Sequence, residues 1–97
     1  MITQTQAIEA LRGVIDPDVG INIVDLGMVE RVVADEDGVR VALIMTTPAC
    51  PQSGYLRDES LHLLRQAGAV MATVEVLDAP LWSPERLSPA ARQSLGW

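Results

Sequence analysis

Aromatic residues are scarce in this 97-residue sequence, which has no phenylalanine and only Trp82, Trp97 and Tyr55 as aromatic side chains. Apolar residues still make up 48% of the chain, so a folded core of Val, Leu, Ile and Met is available and disorder is disfavoured. The length suffices for one domain and is too short for two. We therefore predict a single domain over residues 1–97.

Lysine is also absent, and seven arginines face thirteen acidic residues, which gives a net charge of −6. Phosphate groups repel such a surface, so nucleic acid and anionic membranes are disfavoured as partners. Residues 1–11 lack the basic and apolar regions of a signal peptide, and no apolar run is long enough to span a bilayer. The sequence thus predicts a cytoplasmic protein.

Cysteine occurs once, at Cys50, which excludes an intramolecular disulfide and a redox dithiol within one chain. Histidine also occurs once, and His62 falls off the apolar stripe of a predicted helix, so it is interpreted as a solvated residue rather than a catalytic base. The Cys50–Arg57 spacing is one residue too long for a phosphatase-type loop. No nucleotide-binding or zinc-protease motif is present. We expect that the protein is not an enzyme.

Hydrophobic periodicity and breaker residues predict six elements in the order α-β-β-α-β-α. Asp37-Gly38 is a strong hairpin signal between the first two strands. Helices on one face of a small three-stranded sheet give an α/β (α+β) two-layer sandwich. The predicted helices span about 3–14, 51–67 and 89–95, and the predicted strands span about 28–34, 39–46 and 69–77.

The same periods predict which side chains face the core. In the first strand the inward face stays ambiguous, because Glu30 and Arg31 put one charge on each face. The other inward positions are Val39, Val41, Leu43 and Met45 in the second strand, Leu56, Ser60, Leu63, Leu64 and Ala67 in the second helix, and Val74 and Val76 in the third strand.

Cys50 lies where the second predicted strand gives way to the second helix, between Pro48 and Pro51. The N–H groups and the dipole at a helix start favour a thiolate, which is the form that binds metal or attacks an electrophile. Pro51 suits a first helical turn and Pro48 stiffens the approach. A rigid, exposed thiol is one interpretation. A small buried apolar cysteine fits the local sequence equally well.

The connection between the first helix and the first strand contains three acidic residues, Asp16, Asp18 and Asp25. They can supply metal oxygens or accept hydrogen bonds. A calcium loop is excluded because Ile21 stands where such a loop needs glycine. For Asp16 and Asp18, caps and Asx turns are the favoured interpretation, and Asp25 is placed to lock the turn at Gly27.

Four sequence blocks occur in order along the chain: Asp16-Pro17, Ile23–Val29, Thr46–Pro51 and Trp82–Ser88. Together they resemble the small metal–sulfur cluster biosynthesis family, which includes SufT-like and PaaD-like proteins and the eukaryotic cytosolic iron–sulfur targeting subunit. The resemblance covers nearly the whole chain and implies an iron–sulfur cluster assembly-like domain. Two positions depart from the family pattern, Asp18 and Ala49. The lack of a cysteine-rich extension favours the SufT-like branch.

The resemblance implies an accessory role in iron–sulfur cluster assembly or in cluster transfer to client proteins. Carried over position by position, it makes Cys50 a cluster or metal ligand, Thr46 and Thr47 cluster-binding residues, and Asp16 and Asp25 metal-site residues. One thiolate cannot hold a cluster, since clusters usually take four protein ligands. The cluster or iron would therefore be transient, and the remaining ligands would come from the second subunit of a homodimer, an external thiol or a partner, which is a client or scaffold protein.

Two other functions remain open at this stage. In the first, the protein is an adaptor with a structural cysteine that docks client and scaffold proteins through the tail around Trp82 and the loop at 16–27. In the second, it is a thiol enzyme acting on a small substrate. The lack of a base near Cys50 in the sequence disfavours the enzyme.

Overall fold

The structure, a computed structural model, describes residues 2–47 and 51–96. The described part has the predicted order of three helices and three strands: α1 is Gln4–Leu11, β1 is Val29–Asp35, β2 is Gly38–Ile44, α2 is Ser53–Gln66, β3 is Ala72–Leu77 and α3 is Pro89–Leu95, with a 3₁₀ turn at Pro84–Arg86. Pro48, Ala49, Cys50 and Trp97 lie outside the described residues, so the predictions made for them stay predictions.

Helix α1 ends at Leu11, three residues before its predicted end. Thr3 and Gln6 form a reciprocal capping box that fixes the start. The chain leaves the helix at Arg12 and turns at Gly13, where a Cβ atom would meet the side chain of Leu63 in α2. A small residue at this turn therefore lets the two helices approach each other.

Strand β2 is the centre of the sheet, pairing antiparallel with β1 and parallel with β3. Helix α2 provides the crossover that a parallel pair requires. The hairpin turn lies at Glu36–Asp37, where Asp35 faces Gly38 and the Asp35 carboxylate accepts a hydrogen bond from the Asp37 N–H. The hairpin predicted from Asp37-Gly38 is confirmed.

A β-bulge settles which face of β1 points inward. The pairing with β2 skips Glu30 between Val29 and Arg31. As a result Val29 and Val32 both pack against the core, while Glu30 and Arg31 are both exposed. Strict alternation left this face ambiguous because the extra residue breaks the two-residue period.

The core lies between the sheet and helices α1 and α2, and its side chains are aliphatic. Two predicted core positions are wrong. Ala67 is exposed because α2 ends at Gln66, and Val76 is 36% exposed at the rim of a cavity. Side chains buried completely in this core include Leu11, Ile23, Met28, Leu43, Leu56 and Leu64.

Candidate functional site

The loop that precedes β1 is held in place by the segment 82–88, which precedes α3. Three successive carbonyl oxygens of the loop accept hydrogen bonds from this segment. Since the two segments contain the second and fourth sequence blocks, those blocks meet in space. The bonds run from Ser88 N–H to Asp25 at 2.8 Å, from Trp82 Nε1 to Leu26 at 2.6 Å, and from Arg86 Nε to Gly27 at 2.7 Å.

Gly27 is required at this junction for two reasons. Its φ of +74° lies in the left-handed region, which disfavours side chains. A Cβ atom there would also overlap the carbonyl group and Cβ of Arg86. The same arginine also donates from Nη2 to Glu30 Oε2 at 2.8 Å. Arg86 therefore connects the loop to the bulge of β1 as well.

The Asp25 carboxylate connects this loop to Arg12, the residue that follows the last residue of α1. Oδ2 accepts a hydrogen bond from Asn22 at 2.8 Å, and Oδ1 accepts one from Arg12 at 3.0 Å. These bonds, first from Asn22 and then from Arg12, hold the pKa of Asp25 below its ordinary value of 3.8. Both carboxylate oxygens already have partners, so a metal ion would have to displace one of them. Ligation by Asp25 stays a prediction.

Replacing Asp25 by asparagine is expected to lower the free energy of unfolding at neutral pH by about 1–3 kcal/mol, because a charge-assisted pair of hydrogen bonds is lost. The folded-state pKa is depressed, so the carboxylate stabilises the fold above its unfolded pKa and loses this contribution as the pH falls through the folded pKa. Urea unfolding of wild type and Asp25→Asn across this range is the measurement.

The matched control is Asp58→Asn, since among the described residues Asp58 forms an ion pair only with the adjacent Arg57, at a strongly exposed site. This substitution should change the free energy of unfolding by no more than about 0.5 kcal/mol at neutral pH. Suppose that the free energies of unfolding of Asp25→Asn and wild type differed by the same amount at pH 3 as at pH 7. The ionised Asp25 carboxylate would then not be the group that stabilises the fold.

Asp16 forms the predicted Asx turn. Its side chain is buried, Oδ1 accepts a hydrogen bond from the Asp18 N–H at 2.9 Å, and its carbonyl accepts one from Gly20 at 2.7 Å. Within residues 2–47 and 51–96, no three His, Cys, Asp or Glu side chains are grouped so that they could hold a metal ion. His62, as predicted, is exposed on α2.

A cavity of about 590 Å³ opens where the parallel strands β2 and β3 end. Its walls come from these strand ends, the start of α2 and the segment 78–82. Thr46, a predicted site residue, lines the cavity, whereas Thr47, Asp16 and Asp25 do not. The lining residues are Ile44, Met45, Thr46, Ser53, Val76, Leu77, Asp78, Pro80, Leu81 and Trp82.

Cys50 lies in the sequence between Thr46 and Ser53, which both line this cavity, and it is itself outside the described residues. Sequence reasoning missed Ser53 and Asp78 as cavity residues. Ser53 begins α2 and Asp78 follows β3, so the sequence could identify each as the boundary of a helix or strand. No local sequence pattern revealed that the start of α2 and the end of β3 lie together at one end of the sheet.

Residues 4–76 match the sequence profile described as "Iron-sulfur cluster assembly protein". Because this match covers most of the chain, the protein belongs to this family. The chain is 35% identical over 89 residues to "Fe-S protein maturation auxiliary factor YitW" of Bacillus subtilis, covering 90% of this chain and 87% of that protein. It is 34% identical over 85 residues to "Fe-S protein maturation auxiliary factor SufT" of Staphylococcus aureus, covering 86% and 97%.

Other similar proteins agree with this assignment. An "Iron-sulfur cluster carrier protein" of Synechocystis is 31% identical over 98 residues, which is 99% of this chain but 27% of that longer protein. The crystal structure of a domain of unknown function, DUF59, from Bacillus anthracis matches with a TM-score of 0.90 and 33% identity, covering 96% of this chain and 91% of that one. The iron–sulfur cluster assembly-like α+β fold implied by the sequence blocks is confirmed.

Among the helices that the structure describes, none is long and apolar enough to cross a membrane.

Proposed function

We propose that the protein is an accessory factor of iron–sulfur cluster assembly that helps to mature client proteins or to deliver clusters to them. Family membership supports this role, as do the relatives whose names state maturation of Fe-S proteins and which match over most of their length. The cluster is the cargo in this role, and no substrate is turned over. The partners are client or scaffold proteins of iron–sulfur assembly, and the expected compartment is the cytoplasm.

In this proposal Cys50 is a ligand to the cluster or to iron. The observation that carries it is the position of Cys50 in the sequence between two residues of the cavity wall, Thr46 and Ser53. Their hydroxyl groups are suited to hydrogen-bond the sulfur atoms of a cluster, and such bonds tune cluster sites. The apolar part of the wall, which includes Trp82, would limit the access of water.

A shared site follows from the ligand count. A cluster usually needs four protein ligands, and this chain supplies one thiolate. The other ligands would come from a client, a scaffold protein or a second subunit. A cluster held in this way is bound transiently, which suits transfer rather than storage.

Anaerobic reconstitution with iron and sulfide tests Cys50 as a ligand. We expect wild type to gain the visible absorption of a cluster and the corresponding native mass, and Cys50→Ala to gain neither. The matched control is Cys50→Ala combined with Ser94→Cys, which keeps one thiol but moves it to an exposed position on α3. Cluster binding by this double variant at the wild-type level would show that any thiol suffices and that the site at Cys50 is not specific.

The adaptor is the second candidate, and one observation favours it. Leu81 is 74% exposed in the segment beside Trp82, where a docking partner would contact it. If Cys50→Ser matured an iron–sulfur client enzyme as well as wild type did while Leu81→Ser did not, the cysteine would be structural and the adaptor would replace the ligand role.

A further inference from the structure

The outer edge of β3 is an unpaired and apolar edge. The sheet order ends at β3, and within the described part of the chain only β2 pairs with it. Val70 and Met71, which lead into the strand, are 89% and 64% exposed, and Val76 near its end is 36% exposed. Natural proteins usually protect such an edge with charges, proline or a covering element, because it is a template for another strand.

The opposite edge of the sheet has such protection. Gln4 of α1 donates a side-chain hydrogen bond to the carbonyl of Val32 in β1 at 3.0 Å. Within β3 only Glu75 carries a charge, and the strand contains no proline. The two edges therefore differ, and β3 is the one left open to pairing.

The register with β2 defines which backbone groups of β3 point outward. Val39 N–H donates to the Met71 carbonyl at 2.8 Å, and the parallel pairing continues in step from there to Leu77. In a parallel ladder alternate residues bond to the same neighbour, so Thr73 and Glu75 point their backbone groups at β2. The N–H and C=O groups that point away belong to Ala72, Val74 and Val76.

Residues 71–77 are nearly symmetric about Val74. An antiparallel second copy with Val74 opposite Val74 pairs all the outward N–H and C=O groups of both strands with each other. It also places each apolar side chain opposite an apolar one, and Glu75 opposite the hydroxyl of Thr73. The pairs are Met71 with Leu77, Ala72 with Val76, Thr73 with Glu75, and Val74 with itself. A twofold axis at Glu75 would instead set two carboxylates face to face, which is destabilising.

We propose that β3 pairs with β3 of a second copy of this chain about a twofold axis at Val74, joining two three-stranded sheets into one of six strands. The same patch serves both subunits, as a twofold interface requires. Each cavity lies beside Leu77, and antiparallel pairing sets the two Leu77 residues about 20 Å apart. This dimer thus keeps the two cavities separate, so it neither requires nor creates a cluster shared between subunits.

Light scattering during size exclusion of the full chain over a dilution series measures the dimer dissociation constant. Thr73→Glu places a carboxylate opposite Glu75 of the other copy, twice per dimer, and we expect the constant to rise about tenfold. Thr73→Lys places an opposite charge there, so the constant should fall or stay unchanged. Thr73 is exposed and its register partner within the chain is Arg40, so the glutamate should not disturb the monomer.

Thr5→Glu and Thr5→Lys are the matched controls, since Thr5 is an exposed threonine on α1. Neither should change the constant. Amide exchange by NMR reports the register: protection at Ala72, Val74 and Val76 should rise with protein concentration, while Thr73 and Glu75 are protected throughout. A wild type that stays monomeric at all concentrations, or a dimer that Thr73→Glu and Thr5→Glu affect equally, would overturn the proposal.

Discussion

Replacing Gly27 by alanine is expected to lower the free energy of unfolding by about 2–5 kcal/mol. Two costs add at this position: a side chain in the left-handed region costs about 1–2 kcal/mol, and an unaccommodated methyl group costs about 1–3 kcal/mol. The methyl group would overlap Arg86, which donates to the Gly27 carbonyl. Urea or thermal unfolding of the variant measures the loss, and about 4–8 °C in Tm corresponds to 1 kcal/mol for a domain of this size.

Gly20→Ala is the matched control for this experiment. Gly20 has nearly the same φ, at +79°, but no atom of the described residues outside its immediate chain neighbours lies within 4 Å of its added Cβ. It should therefore show only the conformational cost, about 1–2 kcal/mol. If both variants lost the same stability, the added methyl group at Gly27 would be accommodated, and the close approach of Arg86 would not be what requires glycine there.

Leu43→Ala is expected to lower the free energy of unfolding by about 3–5 kcal/mol. Leu43 is fully buried in the central strand, and truncation leaves a void whose size adds to the lost transfer free energy. Because a small domain has only about 5–15 kcal/mol of stability in total, much of it would be lost.

Leu81→Ala makes the same chemical change at a side chain that is 74% exposed. It should change the free energy of unfolding by no more than about 0.5 kcal/mol. Denaturant titrations of both variants, with the slope m compared to wild type, provide the test. A cost below about 1 kcal/mol for Leu43→Ala would mean that the core around β2 repacks readily.

The local elements were predictable where one short sequence pattern determines them. Asp37-Gly38 defined the hairpin, and Ser88-Pro89 defined the start of α3, where Ser88 accepts a hydrogen bond from the Ala91 N–H. The bulge at Glu30 was not predictable, because a single extra residue leaves no signal in a two-residue period. Helix α1 ends at Leu11, two residues before Gly13, and the close approach of Gly13 to Leu63 of α2 is a tertiary contact that hydrophobic periodicity does not reveal.

The candidate site was predictable only in part for a similar reason. Thr46 was expected from the sequence blocks and lines the cavity, whereas Asp16 and Asp25 lie elsewhere in hydrogen-bonded turns. Ser53 and Asp78 reach the cavity because parallel strands end at the same edge of the sheet, which is a property of topology rather than of local sequence. The ligand role of Cys50 stays a prediction.

The bonds that tie segment 82–88 to the loop before β1 have a kinetic consequence. Trp82 and Arg86 contact residues 56 and 59 positions away, so these bonds close most of the chain into a ring. Contacts of such sequence separation cost loop-closure entropy and form slowly, whereas the hairpin of β1 and β2 is local and forms quickly. The match to the family profile ends at residue 76, before this segment. We therefore expect the segment 82–88 to dock after the hairpin has formed, so that the part of the cavity wall at Trp82 is completed late in folding.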